Sequence, residues 1–205
     1  MRKYAEIALN LAAAIFSTIG TCMAYEIYGW GMLRFYTVNS NILAALACLL
    51  QALFRWRHRK GKEQFPKWLA LLKYASVCCL MVTFLVVVFV LAPMIGEGGL
   101  TYLLFTRDML YHHLLCPVTA FFAFLLFDRL PLAARRSAMW AMVPTGVYAV
   151  VLLALNVARV LKGPYPFLHV YEQPWWMTCV WAVVICGGAY LLALFLARLG
   201  RKRVQ

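Results

Sequence analysis

Six apolar runs alternate with short polar joints along the chain, at residues 5–28, 33–54, 68–95, 108–127, 139–161 and 175–197. An α-helix needs ~20 consecutive apolar residues to cross the hydrocarbon core of a bilayer, and each run meets that length. The joints leave no room for a separate soluble domain. The pattern predicts an all-α polytopic membrane protein, one transmembrane domain over residues 1–205 with six spanning helices. The opening Met1-Arg2-Lys3 and the apolar run behind it have the outline of a signal peptide. No convincing small-x-small cleavage site follows, and further spans do, so the run is read as the first helix. No internal repeat emerges, so the inverted-repeat signature of many transporters is missing.

Composition agrees with the pattern. Hydrophobic residues make up 65% of the chain and charged residues 13%, against roughly 45–50% and 25% in soluble domains. A water-soluble protein of this size cannot bury two thirds of its side chains and still cover its surface. Disorder, coiled coil, collagen and disulfide scaffold are excluded on the same grounds. The seven cysteines fall almost wholly inside apolar runs and read as small core residues, the vicinal Cys78-Cys79 included.

Charge orients the chain. The N-terminus, the joints at 55–67 and 128–136, the tail from Arg198 and Lys73 together hold 16 Lys and Arg and three acids, net +13. The alternate joints hold Arg34, Arg107, Arg159 and Lys162 against Glu26, Glu97, Asp108 and Glu172, net zero. By the positive-inside rule both termini are expected in the cytoplasm. Basic loops beside anionic lipid headgroups account for the excess, so no nucleic-acid partner is expected. Trp30, Trp175 and Trp176 suit an outer aromatic belt, and Trp56 and Trp68 an inner one.

Polar residues collect toward one side. The second run opens Arg34-Phe35-Tyr36-Thr37-Val38-Asn39-Ser40-Asn41, and the fourth opens Arg107-Asp108 and continues to His112-His113 and Cys116-Pro117. The last outer joint carries Tyr165, His169 and Glu172. At 1.5 Å per residue, Thr37 and His112 lie about 6 Å below the starts of their runs. Few ionisable groups interrupt the inner half, so a polar pocket facing the outer leaflet is expected. Taken singly, Thr37, Asn39, Ser40 or Asn41 reads as helix glue. Two adjacent histidines at matching depth beside Asp108 read as a site.

A hydroxyl nucleophile needs a base within hydrogen-bond reach and a donor for the developing oxyanion. Thr37 supplies the hydroxyl and His112 or His113 the imidazole. Asn41, four residues after Thr37, suits a substrate carbonyl or oxyanion, and Asp108, four before His112, can fix its tautomer. A second nucleophile is Cys116, at i+4 from His112 and i+3 from His113, which would make a membrane acyltransferase. Outside enzymes, a transporter or scaffold can use Glu26, Asn39, Asn41, Asn156 and Arg159. A haem or metal site would need His112 or His113 with His169, but no metal and no cofactor is expected. The expected partners are membrane lipids or a fatty-acyl ester.

The run Phe35-Tyr36-Thr37-Val38-Asn39-Ser40-Asn41, the His113-to-Pro117 spacing and Tyr165-Pro166-Phe167 resemble the F-x-T-x-x-S-N, H-x-x-x-P and Y-P-F motifs of a bacterial six-span membrane family. That pattern is similar to the androgen-induced family of intramembrane threonine hydrolases, which cleave fatty acid esters of hydroxy fatty acids. The resemblance implies a lipid-ester hydrolase in a bacterial cytoplasmic membrane, with Thr37 as nucleophile. It maps the base to His113 by the bacterial spacing and to His112 by the eukaryotic one. Asn39, Ser40, Asn41, Asp108, Tyr165 and His169 are then candidates for holding substrate or oxyanion, although His169 stands where an acid is expected after Y-P-F-x.

Overall fold

The structure, a computed structural model, describes residues 1–60 and 65–201. The parts of the basic segments at 61–64 and 202–205 lie outside these. The described chain folds into helices α1 (Arg2–Tyr28), α2 (Tyr36–Arg57), α3 (Lys67–Ile95), α4 (Gly99–Phe105), α5 (Arg107–Phe127), α6 (Ala134–Val157) and α7 (Trp175–Arg201). All but α4 are long and apolar enough to cross a membrane. In hydrocarbon a helix satisfies its own backbone, and each of these runs forms one.

Breaks come where residue chemistry requires them. Gly29, at φ 54, ends α1, and Gly96, at φ 88, ends α3, conformations that glycine adopts without a Cβ clash. Between α1 and α2 a 3-10 turn covers Gly29–Arg34. The second span therefore starts at Tyr36, later than the expected 33, and Thr37 lies in the first turn of α2 rather than a full turn down. The fifth span runs from Ala134 to Val157 instead of 139–161, because Arg159 turns the chain at φ 58. The joint read as loop at 96–107 contains α4, whose Leu103 and Leu104 pack on Val87 and Ala92.

The core is built from small residues. Ala13, Ala44, Cys48, Cys116, Ala120, Ala138, Ala193 and Ala197 are fully buried in one cluster, which lets the helices approach closely, as packing in lipid demands. Tyr74, Leu80, Phe124 and Leu196 fill the spaces between them, while other large side chains, Ile15, Phe89, Val150 and Val183 among them, are exposed on the bundle's flank. Arg2 donates to the Leu126 carbonyl and Lys3 to that of Arg59. The start of α1 and the α2–α3 and α5–α6 joints thus share one end, which we call the basic end.

That end corrects one expectation. A buried polar cluster interrupts the half at the basic end, the one expected to be largely free of ionisable groups: Arg55 Nε meets Glu6 Oε1 at 2.7 Å, Gln51 Nε2 donates to Glu6 at 3.0 Å and also to Asp128, and Lys73, wholly buried, points Nζ at Cys48 Sγ, 2.7 Å away. The charge count places Glu6, Lys73 and Asp128 on the basic side and does not distinguish interior from surface there. They lie at or near helix ends and turn inward, where ion pairs and hydrogen bonds offset the loss of water.

Candidate functional site

At the opposite end, the α2 N-terminus and the first turns of α5 bring a hydroxyl and an imidazole together. Phe35 is extended and supplies no side-chain cap, so the first N–H groups of α2 need partners from elsewhere. Tyr36 N–H donates to the Tyr165 hydroxyl at 3.0 Å. Asn39 Nδ2 donates to the carbonyls of Leu33 and Phe35, at 2.7 and 3.0 Å, and ties the incoming turn to the helix. In α5, residues Leu110–Leu115 form a π-helical segment. Proline lacks an N–H and its ring crowds the carbonyl four residues back. Pro117 therefore leaves the His113 carbonyl without its helical donor, and the widened segment accommodates the break.

The π segment aims the two histidines apart. His113 Nε2 lies 3.3 Å from Thr37 Oγ1, and its Nδ1 lies 2.6 Å from the Leu103 carbonyl of α4. A carbonyl only accepts, so in the neutral ring Nδ1 carries the proton and Nε2 is left as an acceptor toward the threonine hydroxyl. His113 is therefore oriented as a base by a backbone group. Its hydrogen bond to Thr37 is long, as catalytic contacts commonly are before substrate binds. His112 faces α1, with Nε2 3.4 Å from Thr21 Oγ1 and its ring against Gly20. Asp108 Oδ2 is 4.0 Å from His112 Nδ1, on the histidine that does not meet Thr37.

The remaining candidates divide between scaffold and site. Asn41 Nδ2 donates to the carbonyls of Thr37 and His112, at 2.9 and 3.2 Å, and the Asn41 carbonyl accepts from Ser17 at 2.6 Å. Its amide nitrogen is thus engaged in joining α2 to α5, not presented to the Thr37 hydroxyl. Ser40 donates to the Thr37 carbonyl at 2.9 Å and meets Thr83 at 3.1 Å. Tyr165 and Tyr148 line the same cleft as Thr37. Cys116 is buried in the apolar core with Ser17, Cys48 and Lys73 as neighbours and lines neither cavity at the site. His169 is held elsewhere in its loop, with Nε2 2.9 Å from the Gly163 carbonyl and Nδ1 3.0 Å from Glu172. Lys162, hydrogen-bonded to Glu172, holds that carboxyl below the ordinary carboxylate range.

Thr37 and Tyr165 line two cavities at once. One, of about 370 Å³, is walled by Tyr28, Phe35, Leu103, Asp108 and both histidines. The other is a narrower, almost wholly apolar cleft of about 110 Å³ between α3, α6 and α7, with Val86, Leu153, Phe167, Trp181 and Ile185 on its walls. No group of three or more His, Cys, Asp or Glu side chains among the described residues is placed to hold a metal ion. No protein-family model, no curated protein and no solved structure matches the chain.

Two parts of this site escaped the sequence reading. The group that orients the base is the Leu103 carbonyl, and the segment carrying it was read as loop. The apolar Leu100-Thr101-Tyr102-Leu103-Leu104-Phe105 stretch was the available signal for α4. Pro117, by contrast, reads from the sequence as a kink in the fourth span, and the π segment at Leu110–Leu115 stands at that place.

Proposed function

We propose that the protein is an intramembrane hydrolase of lipid or fatty-acyl esters, with Thr37 as nucleophile and His113 as base. The observation that carries this reading is the relay from Thr37 Oγ1 to His113 Nε2 and from His113 Nδ1 to the Leu103 carbonyl, set where two cavities meet. Thr37 attacks the ester carbonyl as its proton passes to Nε2. The same proton then leaves with the alcohol, and water, deprotonated by His113, releases the acid from the acyl-threonine. Tyr165 accepts a hydrogen bond from a backbone N–H, which leaves its O–H to donate to the oxyanion. An ester whose carbonyl lies at Thr37 has one cavity for each of its arms. The motif resemblance points the same way.

The charge distribution supports cytoplasmic termini and a site in the outer half of the bilayer, in a bacterial cytoplasmic membrane. A cysteine introduced at Gly31 should react with an impermeant maleimide added to intact cells, and one introduced at Lys60 should not. The reverse labelling would invert the topology.

Purified protein should react with a hydrolase-directed fluorophosphonate probe and turn over members of a long-chain acyl-ester panel. Thr37→Ala should lose both while remaining folded, and Thr37→Ser should keep part of each. Persistence of labelling and turnover in Thr37→Ala, together with their loss in Cys116→Ala, would transfer the nucleophile to the thiol. The transport reading rests on Glu26, Asn39, Asn41, Asn156 and Arg159, and the buried cluster of Glu6, Gln51, Lys73 and Asp128 adds polar groups at the basic end. Along α2, however, the fully buried Ala44 and Cys48 lie between that cluster and Thr37.

A further inference from the structure

The segment that joins α6 to α7 builds a concave site that the Thr37 chemistry leaves unused. Asn156, Arg159, Lys162, His169, Tyr171 and Glu172 line a pocket of about 220 Å³. The Arg159 guanidinium lies over the Tyr171 ring, 4.5 Å from its centroid, a stacking that occupies its face and leaves its N–H edge for other partners. Lys162 Nζ donates to Glu172 Oε1 at 2.5 Å, and both side chains are more than half exposed. The pocket therefore opens to water at the end of the bundle. Asn156 is the buried member, 5% exposed, and its Nδ2 has no acceptor among the described residues. That nitrogen lies beside Gly163, 3.0 Å from where a Cβ would stand.

The inventory is one-sided. The Arg159 guanidinium and the further N–H groups of Lys162 offer donors to the pocket, the Asn156 amide lies unsatisfied in its wall, and one carboxylate, already shared by Lys162 and His169, is the acidic acceptor. A buried amide donor left without an acceptor is costly. An occupant with acceptor oxygens and negative charge supplies what the pocket lacks. The same loop continues into the neighbouring cavities: Pro164, Tyr165 and Pro166 line the one that holds His113, and Phe167 and Leu168 the apolar cleft. Leu168 lines the cleft and its chain neighbour His169 lines the pocket, so one segment borders both.

We propose that this pocket binds the oxyanion headgroup, phosphodiester or carboxylate, of a membrane amphiphile whose chain enters the cleft lined by Phe167 and Leu168. The site stands on its own residues and does not require Thr37 to be a nucleophile.

The test uses the full chain, wild type and variant, in two binding measurements. Native mass spectrometry from nanodiscs of equal phosphatidylglycerol and phosphatidylcholine reads headgroup preference. Titration with oleate, oleyl alcohol or inorganic phosphate reads whether charge and chain are both needed. The basic end of the bundle also attracts anionic lipid, so the difference between variants is the readout. Wild type should prefer phosphatidylglycerol, which identifies a phospholipid headgroup, or oleate over oleyl alcohol, which identifies a fatty carboxylate. R159Q/K162Q should weaken the preferred ligand about tenfold or more, the loss of charge-assisted contacts. Glu172→Gln, which releases Lys162 and His169 and removes a like charge, should tighten it, an effect misfolding cannot imitate. Lys162→Gln, at an exposed side chain, should weaken it without unfolding. The readout is binding without any ester present, so failure of the whole acyl-ester panel leaves this prediction unchanged, which separates the site from the hydrolase reading. Equal binding across wild type, R159Q/K162Q and Glu172→Gln would overturn the site. A response to inorganic phosphate with no preference among amphiphiles would overturn the headgroup assignment.

Discussion

His112 and His113 are neighbours in sequence with opposite duties. His113 touches the Thr37 hydroxyl and takes its tautomer from the Leu103 carbonyl, whereas His112 fills the gap between α5 and α1 against Gly20 and Thr21. A positioned general base is worth ~10²–10⁴-fold in rate. On the proposed chemistry, His113→Ala should lower ester turnover by about that factor with little change in substrate affinity. His112→Ala should leave turnover near wild type and lower stability instead, by on the order of 2 kcal/mol for the lost buried packing. Paired kinetics and melting curves of the two variants check this. A rate loss in His112→Ala matching that of His113→Ala, with stability unchanged, would mean that the histidine roles have been exchanged.

At the level of elements, the contact between α1 and α5 depends on an absent side chain. A Cβ on Gly20 would stand 2.7 Å from His112 Cδ2 and 2.9 Å from Tyr111 Cβ. Gly20→Ala must push α5 away or rotate the imidazole, and overpacking of this kind costs about 1–3 kcal/mol. Gly187, inside α7, has nothing within 4 Å of its Cβ position, so Gly187→Ala should be neutral or stabilising, by up to about 1 kcal/mol. Thermal melting of the two variants should move in different directions. A Gly20→Ala protein as stable as wild type would show that the helices do not pack this closely.

The same elements show what the sequence revealed and what it hid. Six spans were legible because, in lipid, each helix must satisfy its own backbone, so the signal is local to each run. The convergence of Thr37 with a histidine was legible from the polar openings of the two spans, but the depth of Thr37 was not, since α2 starts only at Tyr36, and neither was the choice between His112 and His113. It depends on a π segment that alters the angle between successive side chains, and Pro117 marks that segment without fixing its register. The Leu103 carbonyl was hidden because a backbone acceptor leaves no trace in residue identity. His169 looked like a neighbour of Tyr165 along the chain, but the intervening turn at Pro166–Leu168 sends it to the pocket of Arg159 and Glu172.

Across the whole molecule, the charges that balance the basic end also tie four helices together. Glu6 of α1, Gln51 and Arg55 of α2, Lys73 of α3 and Asp128 at the end of α5 form one buried cluster. Within it, Asn10 Oδ1, Gln51 Oε1 and Asp128 Oδ2 lack a donor among the described residues. Burial pushes the Asp128 carboxyl up to about 6, with Lys73 and Gln51 opposing the rise, whereas an unfolded aspartate titrates near ~3.9. Between those values the folded protein holds more protons than the unfolded chain, so this group makes stability fall as pH rises from about 4 to about 6. At lower pH the carboxyl is neutral in both states and the penalty disappears. At neutral pH the charged form is buried at a cost of about 3 kcal/mol. Asp128→Asn keeps the shape, stays neutral and adds a donor to a cluster short of donors. It should match wild type near pH 4, exceed it at pH 7 by about that amount, and flatten the pH slope between them. Melting temperatures of both proteins across this range, in one detergent, measure the effect. A variant less stable than wild type at pH 7 would show that the Asp128 charge holds Lys73 and the four helices in place, and that its burial is favourable on balance.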